Sequence, residues 1–165
     1  MMYKNITELI GNTPLLRIDP KIHGLQNIEL YAKLEYLNPF GSVKDRTSWG
    51  MLRDHIGSIQ EKQQTIIESS SGNTAKALQL LASIHGVSFK TITNRIKVSE
   101  QKGILKVLGA ELEELPGSSD CHDPFDPNDP VLIIQREIQK QGDKVFFTSQ
   151  YDNPQNLEAH YRGTG

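Results

Sequence analysis

The sequence has little cysteine, no long apolar run and no large excess of charge of either sign. Cys121 is the only cysteine among 165 residues. The chain therefore has no internal disulfide, and we expect a reducing, cytoplasmic setting. No apolar run approaches the roughly 20 residues that a membrane helix needs. Residues 1–12 lack the apolar core of a signal peptide. We therefore expect no association with a membrane.

The charge balance argues against a nucleic-acid partner. Lys and Arg total 18 and Asp and Glu total 20, which gives a net charge of −2. Binding to nucleic acid depends largely on Lys and Arg contacts to phosphate, and no basic stripe is present. The G-x-x-x-x-G-K-[ST] and G-x-G-x-x-G patterns are also missing, so a nucleotide-binding domain is a weak alternative.

Short apolar strands alternate with helical patterns along most of the chain. Residues 5–16 look like a short apolar turn or helix, and the first helix begins near Ser42. The predicted strands are 29–35, 65–69, 89–93, 110–115 and 144–149, and helices are predicted over 74–85, 98–108 and 131–141 and in the tail. This alternation predicts an α/β fold with a parallel sheet and helices on both faces. Ligands of such folds bind at the carboxyl ends of the strands.

One lysine stands at a turn that leads into a helix. In NPFGSVKDR (38–46), Lys44 follows Pro39, Gly41 and Ser42. A positioned, deprotonated lysine forms an imine with an aldehyde cofactor. A solvated lysine on a helix is the commoner explanation of a single residue, so Lys44 by itself leaves both interpretations open.

A turn rich in hydroxyl groups runs from a predicted strand into a helix. The turn contains Ser70, Ser71, Gly72, Asn73 and Thr74. Free N–H groups and the positive end of the helix dipole favour an anion here, either a carboxylate or a phosphate. An ordinary N-cap is the alternative interpretation.

Two further segments carry weaker signals. Gln150 follows another strand, so its amide is expected at the same sheet edge, although a strand-ending turn explains it equally well. Residues 121–123 (CHD) contain potential metal ligands, but adjacent residues in a loop rarely converge on one ion. We therefore predict no metal site.

Five stretches carry a resemblance to a known family. They are IGNTPLLRI (10–18), AKLEYLNPFGSVKDR (32–46), ESSSGNTAKAL (68–78), KGILKVLGAEL (102–112) and SQYDNPQNLEAHYRGTG (149–165). With these motifs the sequence resembles the fold-type II pyridoxal-phosphate enzymes, specifically the cysteine synthase and cystathionine β-synthase group. The resemblance implies pyridoxal 5'-phosphate as cofactor. It also implies β-replacement on O-acetylserine or a related activated serine, through an aminoacrylate intermediate.

The resemblance also assigns roles to individual residues. It implies that Lys44 is the Schiff-base lysine and the base toward the α-proton, and that Asn73 binds the phenolic oxygen of the cofactor. The residues implied to bind the substrate carboxylate are Ser70, Ser71, Gly72, Thr74 and Gln150. It further suggests a homodimer and an interaction with serine acetyltransferase. Cystathionine β-synthase and a diaminopropionate-pathway synthase remain alternative activities.

The sequence departs from the family pattern at several points. Ser70 replaces the usual Thr, Ala75 replaces the usual Gly, and TNRIKVSEQ (93–101) replaces a segment that normally contains Pro and Met. Family members are longer, and their phosphate-binding loop lies beyond the matched region. We therefore expect residues 1–36 to contribute to a larger domain, 37–152 to form a small α/β domain, and 153–165 to begin the rest of the larger one. A fragment or split gene product, or a non-catalytic remnant or binding module, is the alternative to a complete enzyme.

Overall fold

The computed structural model of the chain describes residues 2–94, 96–117, 123 and 125–165. Cys121 and His122, on which the redox and metal predictions rest, lie outside the described residues. The helices are α1 (Pro20–His23), α2 (Lys44–Leu52), α3 (Ile56–Glu61), α4 (Asn73–His85), α5 (Ser99–Val107), α6 (Pro130–Gln141) and α7 (Pro154–Gly163). Short 3-10 helices span Ile6–Leu9, Glu35–Leu37 and Gly142–Lys144. The strands are β1 (Leu15–Ile18), β2 (Leu30–Lys33), β3 (Thr65–Glu68), β4 (Ser88–Asn94), β5 (Glu111–Leu115) and β6 (Val145–Phe147).

Four of the strands form a parallel sheet in the order β5-β4-β3-β6. The predicted α/β fold with a parallel sheet and flanking helices is therefore confirmed. In contrast, β1 and β2 form a separate antiparallel pair. The prediction for 5–16 missed the start of β1, because an isolated four-residue strand has little periodicity to distinguish it from a turn.

Both faces of the parallel sheet are covered by helices. Ile66 on β3 belongs to a cluster that includes Leu78 and Leu81 of α4. Its neighbour Ile67 belongs to a second cluster with Ile134 of α6. Successive side chains of a strand point to opposite faces, so the TIIE segment supplies both cores. Among the described residues, no helix is long and apolar enough to cross a membrane.

Helix α2 is buried on more than one side because α4 and α7 both pack against it. Gly50 lies at its contact with α7. A Cβ atom at this position would lie 3.0 Å from the Ala159 Cβ and 3.1 Å from the Gln155 carbonyl oxygen. The absence of a side chain therefore permits the two helices to approach closely.

A buried arginine on α2 joins three segments that are distant in sequence. Arg46 Nε and Nη2 donate to the two Glu35 carboxylate oxygens at 2.7 and 2.9 Å. Its Nη2 also donates to Thr13 Oγ1 at 2.9 Å, and its Nη1 donates to the Gly163 carbonyl at 2.7 Å. Burial raises the pKa of Glu35, but hydrogen bonds from Arg46, Thr13 and Asn38 outweigh burial and lower the pKa from 4.5 to about 2. The network therefore holds an ionised carboxylate.

We expect Arg46→Met to lower the free energy of unfolding at neutral pH by about 3–5 kcal/mol, because it leaves Glu35 without its cation. The control is Arg17→Met, which removes an exposed ion pair with Glu29 and should change stability by about 1 kcal/mol or less. The folded pKa of Glu35 lies below its ordinary value, so its stabilising contribution is present above pH 4.5 and is lost as the pH falls toward about 2. Urea unfolding should therefore show a smaller difference between wild type and Arg46→Met at low pH. An equal loss of unfolding free energy in Arg46→Met and Arg17→Met at neutral pH would contradict this account.

Candidate active site

A cavity of about 820 Å³ lies at the carboxyl edge of the parallel sheet, where β3, β4 and β6 end. All seven site residues predicted from the sequence line it. They are Lys44, Ser70, Ser71, Gly72, Asn73, Thr74 and Gln150. Three segments that are far apart in sequence thus meet around one space.

The turn before Lys44 is held by the side chains that surround it in sequence. Gly41 has φ +89°, a conformation that glycine adopts at low cost. Asp45 Oδ2 accepts a hydrogen bond from the Phe40 N–H at 2.6 Å, and Ser42 Oγ accepts from the Lys44 N–H at 3.2 Å. Burial raises the pKa of Asp45, although the hydrogen bonds from Phe40 and Ser42 oppose it. The NPFGS segment therefore fixes the backbone at the start of α2.

The Lys44 ammonium group is available for a ligand. Its side chain is half-buried on the cavity wall. Among the described residues, it makes no hydrogen bond or ion pair. A lysine in this setting is suited to react with an aldehyde or to bind an anion, because no protein partner competes for the amine.

Ser70 uses its hydroxyl group to support the start of α4. Its Oγ accepts hydrogen bonds from the Ala75 N–H at 3.3 Å and the Gly72 N–H at 3.4 Å. The N–H groups of Asn73 and Thr74 lie in the first turn of the helix and have no intrahelical acceptor. These two N–H groups, together with the helix dipole, make the end of α4 suitable for an anion.

Gly72 and Asn73 leave open space at the start of α4. A Cβ atom at Gly72 would meet no protein atom within 4 Å, so packing within the protein does not require glycine there. Asn73 is exposed on the cavity wall. Both residues therefore leave space for a ligand beside the helix N-terminus.

Both ends of the Gln150 amide are occupied by protein partners. Its Oε1 accepts from Thr74 Oγ1 at 3.0 Å, and its Nε2 donates to the Ser69 carbonyl at 2.9 Å. The Thr74 hydroxyl proton is thus directed to Gln150. One Nε2 proton of Gln150 remains for a ligand.

Glu68 is the main site residue that sequence reasoning did not identify. It ends β3, is 1% exposed and lies directly before the serine-rich turn. Burial raises its pKa, against the lowering effect of hydrogen bonds from Thr148, Ser69 and Gln150. The signal in the sequence was a carboxylate at the end of an otherwise apolar strand.

Further polar residues complete the cavity wall. Asp129 is 2% exposed and caps α6 by accepting hydrogen bonds from the Val131 and Leu132 N–H groups. Other lining residues that were not predicted are Ser69, Thr93, Asn94, Gln101 and Tyr151. Thr93 and Asn94 end β4 and Gln101 lies on α5, and all three fall within residues 93–101, where the sequence departs from the family pattern.

The chain was compared with known proteins. A family profile described as "Pyridoxal-phosphate dependent enzyme" matches residues 6–165. The chain belongs to this family. Family membership confirms the predicted fold type, the enzyme class and pyridoxal phosphate as the cofactor of the family.

Individual relatives agree with this assignment. Cystathionine beta-synthase of Saccharomyces cerevisiae is 37% identical over 98% of this chain and 32% of its own length. Cysteine synthase of Aquifex aeolicus is 35% identical over 98% of this chain and 49% of its own length. The crystal structure of cysteine synthase from Entamoeba histolytica superposes with a TM-score of 0.82 at 30% identity, over 98% of this chain and 47% of the other. The chain thus spans between a third and a half of the length of these relatives.

We expect Ser70→Ala to lower the free energy of unfolding by about 0.5–2 kcal/mol, because the first turn of α4 loses its hydroxyl acceptor. Ser70→Thr retains that oxygen and should stay close to wild type. Urea unfolding of the three proteins measures the difference. Equal stability of wild type and Ser70→Ala would show that the Ser70 contacts contribute nothing to the helix start.

Proposed function

We propose that the chain provides the lysine side and the carboxylate side of a pyridoxal-phosphate site that catalyses β-replacement on an activated serine. The observation that carries this proposal is Lys44, whose amine has no partner among the described residues and which lines the same cavity as the N-terminus of α4. An aldehyde cofactor needs the amine, and an amino-acid substrate needs donors for its α-carboxylate. The cavity brings both within one space.

The residues present fit two sides of the cofactor. Lys44 is the candidate for the covalent attachment, and Asn73 is the candidate donor to the phenolic oxygen. When bound, pyridoxal phosphate withdraws electrons from the α-carbon of an attached amino acid. The Lys44 amine, once released from that attachment by the substrate amine, would remove the α-proton and hold it on Nζ.

The carboxylate side depends on N–H and hydroxyl donors. The Asn73 and Thr74 N–H groups would bind the substrate carboxylate, with Ser71 and the remaining Gln150 proton as further donors. Gly72 permits close approach of the carboxylate to the backbone. Fixing the carboxylate in this way would orient the α-carbon toward Lys44.

Cysteine synthase is the activity we favour, with O-acetylserine as substrate and sulfide as nucleophile. The relatives include a cystathionine beta-synthase and a cysteine synthase, which supports β-replacement as the class of reaction. Cystathionine β-synthase or a diaminopropionate-pathway synthase is the alternative. These activities differ in the leaving group and the incoming nucleophile, while the same residues would hold the substrate carboxylate.

We expect the purified chain to react with pyridoxal phosphate and to gain the visible absorption of the cofactor bound covalently to a lysine. Borohydride reduction followed by peptide mass spectrometry should place the label on Lys44. Lys44→Ala should abolish both signals because the amine is removed. Lys76→Ala is the matched control, since Lys76 is also half-buried near the Gly41 turn but does not line the cavity.

Two results would argue against this assignment. A label that persists in Lys44→Ala would place the reactive amine elsewhere. Absence of label in the wild type would favour the second candidate function, a non-catalytic remnant or binding module.

The N-terminal segment supports the proposed division into domains. Residues 1–36 would contribute to a larger domain, 37–152 would form the small domain, and 153–165 would begin the rest of the larger one. The segment contains many large apolar side chains that are at least two-fifths exposed, and those from β1 to β2 are Leu15, Leu16, Ile22, Leu25, Ile28, Leu30 and Tyr31. We call these residues the N-terminal apolar set. Exposed apolar groups on this scale favour contact with another polypeptide surface.

We propose a second copy of the chain as that partner, and serine acetyltransferase as a further partner by family resemblance. A cytoplasmic location is retained as an expectation.

In analytical ultracentrifugation, the wild type should self-associate, and Leu16→Glu should shift it toward monomer because a charge is placed in an apolar contact. Val107→Glu is the control, since Val107 is 87% exposed but lies on α5, outside the set. A monomeric wild type, or equal effects of both variants, would contradict the proposed dimer.

A further inference from the structure

The Glu68 carboxylate lies beneath the cavity wall and accepts three hydrogen bonds from neutral donors. Its Oε1 accepts from the Ser69 N–H at 2.8 Å. Its Oε2 accepts from Thr148 Oγ1 at 2.5 Å and from the Gln150 N–H at 3.0 Å. One side chain thereby joins the end of β3 to the segment that follows β6.

The two residues bound by Oε2 flank a backbone conformation that is uncommon for a residue with a side chain. Ser149 has φ +50°, in the left-handed region. Thr148 precedes it and Gln150 follows it, so Glu68 holds the chain on both sides of this residue. The Asn153 side chain also donates to the Thr148 carbonyl at 2.9 Å. Such a conformation persists where surrounding contacts determine it.

The position of the Gln150 amide follows from this arrangement. Its Nε2 donates to the Ser69 carbonyl, while the Ser69 N–H donates to Glu68. Its Oε1 accepts from Thr74 in the first turn of α4. Glu68 thus lies at the centre of a closed set of contacts that includes Gln150 and Thr74, two of the residues assigned to the substrate carboxylate.

We propose that Glu68 is a positioning residue: its buried carboxylate holds Gln150 and the Ser69–Thr74 turn in the arrangement that receives the substrate carboxylate. The effect on substrate rests on the proposed function, whereas the effect on the turn stands on the contacts alone. Glu68 does not line the cavity and acts through Ser69 and Gln150.

Glutamine is the most informative replacement because it has the same shape. An amide has one oxygen acceptor and one NH₂ donor, whereas the carboxylate accepts at both oxygens. The Thr148 hydroxyl can rotate and accept a hydrogen bond from the glutamine NH₂ group. The backbone N–H groups of Ser69 and Gln150 can only donate. In either orientation of the amide, one backbone N–H faces another donor and loses its acceptor.

Amide hydrogen exchange of the ¹⁵N-labelled full chain, followed by NMR, tests the effect on the turn. In Glu68→Gln, we expect exchange to accelerate roughly tenfold or more at the hydrogen-bonded amides of two segments, 69–75 (Ser69, Ser70, Gly72 and Ala75) and 149–151 (Gln150), in line with the loss of a buried hydrogen bond. Amides of Ile67 and Ile92 in the sheet should retain their protection. Glu113→Gln on β5 is the control for loss of a glutamate charge and should leave residues 149–151 unchanged.

A second variant keeps the test decisive where Glu68→Gln fails to fold. Thr148→Val removes one hydroxyl donor with little change of shape, and we expect a smaller acceleration confined to the same two segments. The proposal would be overturned if, in a variant that folds, amide exchange accelerated uniformly across the sheet. It would also be overturned if exchange did not accelerate at all.

Titration with L-serine tests the consequence for ligands, with L-serinamide as the control that lacks a carboxylate. We expect L-serine alone to shift the wild-type amide signals of residues 72–74, and the Kd for L-serine to rise about fivefold or more in Glu68→Gln. An unchanged Kd would overturn the positioning role. A wild type that ignores L-serine would refute the proposed carboxylate site, while a local exchange effect would still establish that Glu68 orders the turn.

Discussion

The ion pair between Arg46 and Glu35 connects the parts of the molecule on which the site depends. Arg46 lies one half-turn beyond Lys44 on α2, so its contacts fix the helix that carries the candidate reactive amine. Through Glu35 and Thr13 it holds the N-terminal segment, and through the Gly163 carbonyl it holds the end of α7. The guanidinium group suits this task because its planar array of donors reaches several acceptors at once.

Glu35 and Glu68 illustrate different ways to accommodate a carboxylate. Glu35 has a cation beside it, and the hydrogen bonds it receives lower its pKa to about 2. Glu68 receives neutral donors, and burial raises its pKa. The difference in pKa follows from these partners, since a neighbouring cation favours the charged carboxylate whereas burial disfavours it.

The cavity combines groups that are tightly held with groups that are left free. The polar side-chain atoms of Ser70, Gln150 and Asp45 are mostly engaged in hydrogen bonds with other groups of the protein. Within the part of the chain that the structure describes, the Lys44 amine, the first N–H groups of α4 and one Gln150 amide proton remain available. This division is consistent with a preorganised site, because ordering of the turn precedes ligand binding instead of opposing it. The exposed N-terminal apolar set shows that the same chain also has surface suited to a further polypeptide contact.

Local patterns in the sequence determined the strands, the helices and the candidate ligand groups. The apolar segment 65–69 contains β3, and the periodic segment 74–85 lies within α4. Lys44 and Gly72, which the turn patterns singled out, both line the cavity. Tertiary structure alone decided which groups pair. Glu68 meets Thr148 and Gln150 because β3 and β6 are neighbours in the sheet, although about eighty residues separate them. Strand order is set by long-range packing, and no local periodicity encodes it, so these partners and those of Arg46 emerge only when the chain is folded.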